Sequence, residues 1–250
     1  MSAANSFPAG DLGTVLLYSS IAAACAALGA LPFVTRRRLP LTWLGWANAL
    51  AAGLMLGASY ILIIEGIERG PLAETLGTFV GVAVLYATHA LTGTRHFGAA
   101  APPPGGVGLS DKRWLRDAIH AAAEGVAIGS AMAVSLDFGI FVALALTAHN
   151  VPEGTALCAV LLPRGFRLPS AALLCVSANL GQVVLGAVSF MIVRAQPALL
   201  PYALGFAAGT LIYLIMVELL PDSFEQAGHT TIAVLTNVAL AAVVVVRGFF

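Results

Sequence analysis

Long apolar runs, separated by short joints marked by Arg, Pro or Gly, set the pattern of this chain. Eight can be drawn: about Leu12–Val34, Leu41–Ile64, Leu72–Thr92, Trp114–Leu136, Phe138–Leu162, Leu168–Val193, Leu199–Leu220 and Ile232–Val246. At about 1.5 Å per helical residue, runs of roughly 18 residues or more cross a hydrocarbon core of about 30 Å, and only the last is marginal. Lipid offers no water to backbone N–H and C=O groups, so runs of this kind must be helices and not strands. Glycine recurs inside them, as in "LGAVSF" and "GFAAGT", and small residues let membrane helices approach closely. The pattern predicts an all-α polytopic membrane protein, with residues 1–250 forming a single transmembrane domain of eight helices in a compact bundle.

The polar joints set the expected orientation. With the N-terminus outside, nine Lys and Arg residues between Arg36 and Arg167 fall in inward loops, whereas only Arg69, Arg194 and Arg247 fall on the outward side. An excess of positive charge marks the cytoplasmic face, so both termini are expected outside. The Gly/Pro-rich stretch at about 93–113 is expected to be a flexible cytoplasmic loop. The opening "MSAANSFPAGD" has no positive n-region and is expected to be a short polar tail, not a removable signal.

Composition sharpens this reading. The chain has 250 residues, 59% apolar and 10% charged, with a formal net charge of zero and a mean hydropathy of +0.92. That is too apolar for an ordinary soluble domain, and it carries no basic surface for nucleic acid. The expected location is an inner-type membrane. Cys25, Cys158 and Cys175 lie in apolar runs without paired spacing and read as packing residues.

Against this apolar background the polar groups concentrate in two places. "IHAAAEGVAI" and "AHNVPEGTAL" share His-x-x-x-Glu-Gly-x-Ala, 29 positions apart. In a helix, residues i and i+4 share a face, so His120 with Glu124 and His149 with Glu153 each form a two-toothed ligand set. The fourth and fifth helices should be antiparallel about a turn near Asp137. His149 and Glu124 are then 12 and 13 residues from that turn, and Glu153 and His120 are 16 and 17. Facing one another, two imidazoles and two carboxylates would make a divalent-cation site between these two helices. Mixed N/O ligands suit Zn²⁺, Fe²⁺, Mn²⁺, Co²⁺ or Cd²⁺ better than Ca²⁺ or Mg²⁺. Ionisable groups in a bilayer cost on the order of 2.5 kcal/mol or more each, so four together ask for a functional explanation. Pro152 leaves the Ala148 carbonyl without its helical donor and should bend the fifth helix there.

"AHNVPEG" resembles the fifth-span signature His-Asn-x-Pro-Glu-Gly of the ZIP (zinc/iron-regulated transporter-like) family, and "IHAAAEG" resembles its fourth-span motif. "AAGLMLGAS" and "AAGTLIYLIMVELLPD" are similar to further family segments, and in length the chain is closest to small bacterial members. The resemblance implies uptake of Zn²⁺ and related divalent metals into the cytoplasm, by movement of one helix group against another. The metal would be the transported substrate and no cofactor would be required. It implies His120, Glu124, His149 and Glu153 as primary ligands, with Met55 beside them. It also implies Asn150 as part of a second site, with Gln182 where many members carry Glu. Ala121 and Ala123 replace the Asn and Pro of the fourth-span motif. A second site so depleted of charge is expected to be weak.

Along a possible path, Glu218 is placed near the inner end of the seventh span, and Glu65 and Glu68 at the outer end of the second. His89 in the third span has no acidic neighbour in sequence, and His96 and His229 fall in loops. Glycine-rich helix faces suit a homodimer. Two rival readings follow from the same residues. In one, an intramembrane hydrolase uses bound Zn²⁺ to activate water, though it lacks an obvious additional acid or nucleophile, or the protein binds metal without transporting it. In the other, haem sits between His120 and His149, which would leave the neighbouring glutamates without a role.

Overall fold

A computed structural model of the chain describes residues 10–36, 38–92 and 112–249, and every regular element among them is helical. α1 (Leu12–Cys25) passes through a 3₁₀ stretch, Ala26–Ala30, into the short α2 (Pro32–Thr35). α3 (Leu41–Arg69) and α4 (Pro71–Thr92) form one hairpin, and α5 (Lys112–Val134) and α6 (Leu136–Leu161) another. α7 (Leu168–Ala178) and α8 (Leu180–Ala195) are two parts of one long stretch broken at Asn179, whose side-chain amide donates to the Cys175 carbonyl at 3.0 Å. α9 (Leu200–Leu214) continues through a π-helical turn, Ile215–Leu219, into α10 (Leu220–Ala227), and α11 (His229–Arg247) follows.

Six stretches among the described residues are long and apolar enough to cross a membrane: Leu12–Thr35, Leu41–Arg69, Pro71–Leu91, Leu168–Ala195, Pro197–Ala227 and His229–Arg247. The sequence pattern predicts eight. The difference lies in α5 and α6, the two helices that carry the repeated motif. α5 offers only the shorter apolar stretch Ala118–Val134, and α6 carries His149, Asn150 and Glu153 through its middle. The expected loop at 93–113 lies outside the described residues as far as 111, as do Arg37 and His96.

The helices pack as two groups. α5 lies along α8 and α6, and α1 fits between α6 and α8; in the second group α4 lies along α9, and α3 along α9 and α11. The groups meet where α3 crosses α6 and α5 crosses α9. Close approach within each group depends on missing side chains. A Cβ on Gly154 of α6 would fall on the Ala26 carbonyl of the 3₁₀ stretch, so only glycine lets that stretch cross the motif helix. Apolar side chains such as Leu17, Phe79, Tyr86, Leu173 and Val245 remain exposed around the outside, which is what a surface facing acyl chains requires.

At one end of the bundle the Gly10 N–H donates to the Met132 carbonyl at 3.0 Å. There the Arg247 guanidinium lies 5.3 Å above the Phe138 ring, so both ends of the described chain meet the α5–α6 reversal. α1 is capped here by Asp11, whose carboxylate accepts the Thr14 N–H at 2.6 Å and its hydroxyl at 2.7 Å. These bonds, the backbone one foremost, hold the Asp11 carboxyl below the usual carboxylate range. A folded-state value below the unfolded one means the cap contributes at neutral pH and is lost as pH falls through the folded value. Hydrogen-exchange protection at Thr14 should therefore drop in acid, and Asp11→Asn, which still caps, should remove the acid dependence. Protection that is equal in neutral and strongly acidic solution would contradict this account of the cap.

Candidate metal centre

The reversal between α5 and α6 is made by Ser135, whose hydroxyl oxygen accepts the Phe138 N–H at 3.2 Å. It therefore sits two residues before Asp137, which lies in the first turn of α6. Counted from Ser135, Glu124 is 11 residues back and His149 is 14 forward, close enough in depth for the two helices to bring them together. His149 Nε2 lies 2.7 Å from Glu124 Oε1 and 3.9 Å from Glu153 Oε2. One ligand atom from each of the three lies within 4.8 Å of the others. The Glu124 and His149 side chains are 1% and 2% exposed, whereas that of Glu153 is 31% exposed, so this cluster is sealed on one side and reached from the other. α6 stays helical through Pro152.

His120, the fourth residue of the repeated motif, is brought to a different set. Its Nε2 lies 3.7 Å from Glu218 Oε1, and the same oxygen is 2.6 Å from His89 Nε2. The two imidazole centroids are 5.9 Å apart, and the Tyr213 ring lies 5.3 Å from that of His89. The four motif residues thus fall in two neighbouring clusters, Glu124–His149–Glu153 and His89–His120–Glu218. Glu218 belongs to the π-helical turn, where one extra residue per turn re-aims the side chains. His89 comes from α4, and no local spacing pairs it with Glu218.

The remaining sequence candidates lie around these clusters or away from them. Asn150 donates through Nδ2 to the Ala22 carbonyl at 2.9 Å and to Gln182 Oε1 at 3.2 Å, tying α6 to α1 and α8. Both amides are fully buried. Met55 is fully buried in the apolar core with Ala52 and Leu62, and its carbonyl accepts the Ser59 hydroxyl at 2.8 Å. At the C-terminal end of α3, Glu65 pairs with Arg69 one turn on, and Glu68 is exposed. His229 opens α11 and stacks on Phe224, with centroids 4.9 Å apart.

Chemically, the first cluster is a pair of carboxylates around one imidazole. At 2.7 Å the Glu124 oxygen and the His149 nitrogen are bridged by a proton. A cation held tetrahedrally by both, at about 2.0–2.1 Å, would part them to about 3.3 Å and take the proton's place. The 3.9 Å gap to Glu153 would close by a similar amount, so small opposite adjustments suffice.

The family model of the ZIP zinc transporters matches residues 115–249, more than half the chain and both motifs. A putative zinc transporter of Arabidopsis thaliana is 31% identical over 245 residues, which cover 93% of this chain and 38% of that protein. The chain belongs to the ZIP zinc transporter family. Zinc transporter GufA of Myxococcus xanthus is 28% identical over 242 residues, covering 88% of this chain and 93% of GufA. Zinc transporter ZIP13 of Pongo abelii is 32% identical over 116 residues, covering 45% of this chain and 35% of ZIP13. The chain therefore spans little more than a third of the plant and ape proteins' length and nearly all of the bacterial one's.

In this ZIP chain several buried polar atoms of the motif helices are unmatched. Glu124 Oε2, His149 Nδ1 and Asn150 Oδ1 are buried without a hydrogen-bond partner. Buried polar atoms left unmatched cost free energy, and a cation or water that engages them recovers it. Gln182 Nε2, buried and without a hydrogen-bond partner as well, is a donor and therefore repels a cation from the Asn150 side. Gln182→Glu should convert that side into an acceptor set and raise bound Zn²⁺ by one ion per chain over the wild type. Metal content after gel filtration measures it; a ratio unchanged by the substitution would show that the amide is not what limits the second position.

Proposed function

We propose that the chain carries divalent transition-metal cations, Zn²⁺ first and Cd²⁺, Fe²⁺ and Mn²⁺ as relatives, across a bacterial inner membrane into the cytoplasm. The observation that carries this reading is the Glu124–His149–Glu153 cluster, three ligand atoms within 4.8 Å of one another in the middle of a helix about 39 Å long by its rise per residue. α5 and α6 act as the fourth and fifth of eight spans, shielded from lipid by the six more apolar stretches. Contact of both described ends with the α5–α6 reversal supports placing both termini on one side, and the distribution of Lys and Arg makes that side the outside.

Glu124, His149 and Glu153 bind the ion as it is stripped of water. Two carboxylates and a dication sum to zero net charge, which a low-dielectric interior can hold. His120, one turn from Glu124, passes the ion to His89 and Glu218, which lie further from the Ser135 end and so nearer the inner face. The second cluster draws its ligands from both helix groups, His120 from α5, His89 from α4 and Glu218 from the turn after α9. Sliding of one group against the other therefore makes and breaks it, giving alternating access. Opening at Glu153, on the far side of His149 from the Ser135 reversal, corresponds to the inward-facing state. No bound cofactor or catalytic step is needed.

The test is reconstitution into liposomes with a metal indicator trapped inside. External Zn²⁺ or Cd²⁺ should enter faster than in protein-free vesicles, with saturation at rising concentration. Flux equal to the protein-free rate from a monodisperse, correctly inserted preparation would overturn the transport reading.

A further inference from the structure

The three cysteines are scattered in the sequence, but the fold brings two of them into contact. Cys158, near the end of α6, and Cys175, in α7, place their sulfurs 3.6 Å apart, and both side chains are buried. The Cys175 sulfur also lies 3.6 Å from the carbonyl oxygen of Gly154, the residue that follows Glu153. These separations match those around a thiolate-bound metal. Two sulfurs at about 2.3 Å from a tetrahedral Zn²⁺ stand about 3.8 Å apart, and a sulfur and an oxygen bound at about 2.3 and 2.1 Å stand about 3.6 Å apart.

We propose that Cys158, Cys175 and the Gly154 carbonyl form a second, separate site for a thiophilic divalent cation, Cd²⁺ or Hg²⁺ in preference to Zn²⁺. Binding replaces the two thiol protons, which leave to solvent, with two metal–sulfur bonds. Two thiolates and a dication sum to zero charge, so the complex is compatible with the dry apolar shell of Ala26, Ala30, Phe33, Leu161 and Ala171 around it. The carbonyl has a second lone pair to give beyond its helical bond. Soft sulfur ligands also separate this site chemically from the N/O donors of the two His/Glu clusters. An ion held by two thiolates is a resident or an inhibitor rather than cargo in passage, and it sits about one helical turn from Glu153.

The site is tested on purified full-length protein in detergent with Cd²⁺, where no transport is needed. Sulfur-to-cadmium charge transfer in the near ultraviolet, and sulfur scatterers at the cadmium absorption edge, should appear in the wild type. Both should persist in Cys25→Ser and in the double variant Glu124→Gln/Glu153→Gln, and be lost in Cys158→Ser and Cys175→Ser. In the wild type alone, Cd²⁺ should also shield Cys158 and Cys175 from alkylation, read by peptide mass spectrometry, and leave Cys25 as reactive as before. Cadmium bound only through nitrogen and oxygen, sulfur signals that survive Cys158→Ser, or unshielded cysteines at saturating Cd²⁺ would each overturn it. Because the readout is sulfur ligation, a failed uptake assay leaves this test intact.

Discussion

Glu153→Ala should lower metal influx at least tenfold while leaving a folded, monodisperse protein, and His149→Ala should lower it as far, at a cost in stability because it leaves Glu124 buried without its partner. Removing a partner that only supports a ligand already costs about 10–100-fold in metal affinity, so removing a ligand should cost no less. Glu124 needs a gentler change. It is buried against His149 at 2.7 Å, and deleting one member of a buried pair can cost about 3–5 kcal/mol of stability. Glu124→Gln keeps the size and a hydrogen bond to the imidazole but removes the charge, so it isolates binding from folding. His120→Ala provides the contrast. If the ion rests on Glu124, His149 and Glu153 before reaching His120, this variant should retain equilibrium Zn²⁺ binding within about threefold, a cost below 1 kcal/mol, yet lose influx. Influx through Glu153→Ala at the wild-type rate would remove the cluster from the pathway. Binding lost as completely in His120→Ala as in His149→Ala would show that all four motif residues converge on one ion.

That contrast marks how far the sequence could be read. Residue spacing on a helix made the two motif faces legible, because i and i+4 are neighbours whatever surrounds them. The matching depths of Glu124 and His149 were legible too, although the reversal sits at Ser135 and not at Asp137. The partner each side chain takes across a helix interface was not. His120 and Glu124 share a face of α5, yet one turns toward α4 and the π-helical turn and the other toward α6. Nothing local links His89 with Glu218, and nothing in the apolar run around Glu218 announces a π-helical turn. The same blindness hid Cys158 and Cys175, which meet only because α7 folds back on α6. The apolar signal of a span is weakest in an instructive place: of the eight runs, the two helices that are not apolar enough to count by composition are the two that carry the ligands, since the polar groups that create a site also erase its membrane signature.

The largest effect on stability is expected from Gly205→Leu in α9. Gly77 and Gly81 on α4 and Gly205 and Gly209 on α9 form facing small-xxx-small pairs, a pattern that lets two membrane helices touch through their backbones. Here a Cβ on Gly205 would meet the Glu74 carbonyl, one on Gly209 the Thr78 carbonyl, and ones on Gly77 and Gly81 the carbonyls of Tyr202 and Phe206. Backbone atoms cannot rotate away as a side chain can. The contact is also bonded, through the Thr78 hydroxyl to the Gly205 carbonyl at 3.2 Å. Inserting a leucine must therefore part the helices, at a cost of at least about 3 kcal/mol, the upper end of ordinary overpacking. The damage reaches the second cluster, because α4 carries His89 and the turn after α9 carries Glu218. Gly205→Leu should melt well below the wild type in detergent or fail to purify as a single species. Gly205→Ala, with one carbon to place, should melt at an intermediate temperature and show slower influx with Cd²⁺ binding retained. Gly205→Leu melting at the wild-type temperature would mean that α4 and α9 do not need this backbone contact, and with it would go the argument that their packing holds His89 against Glu218.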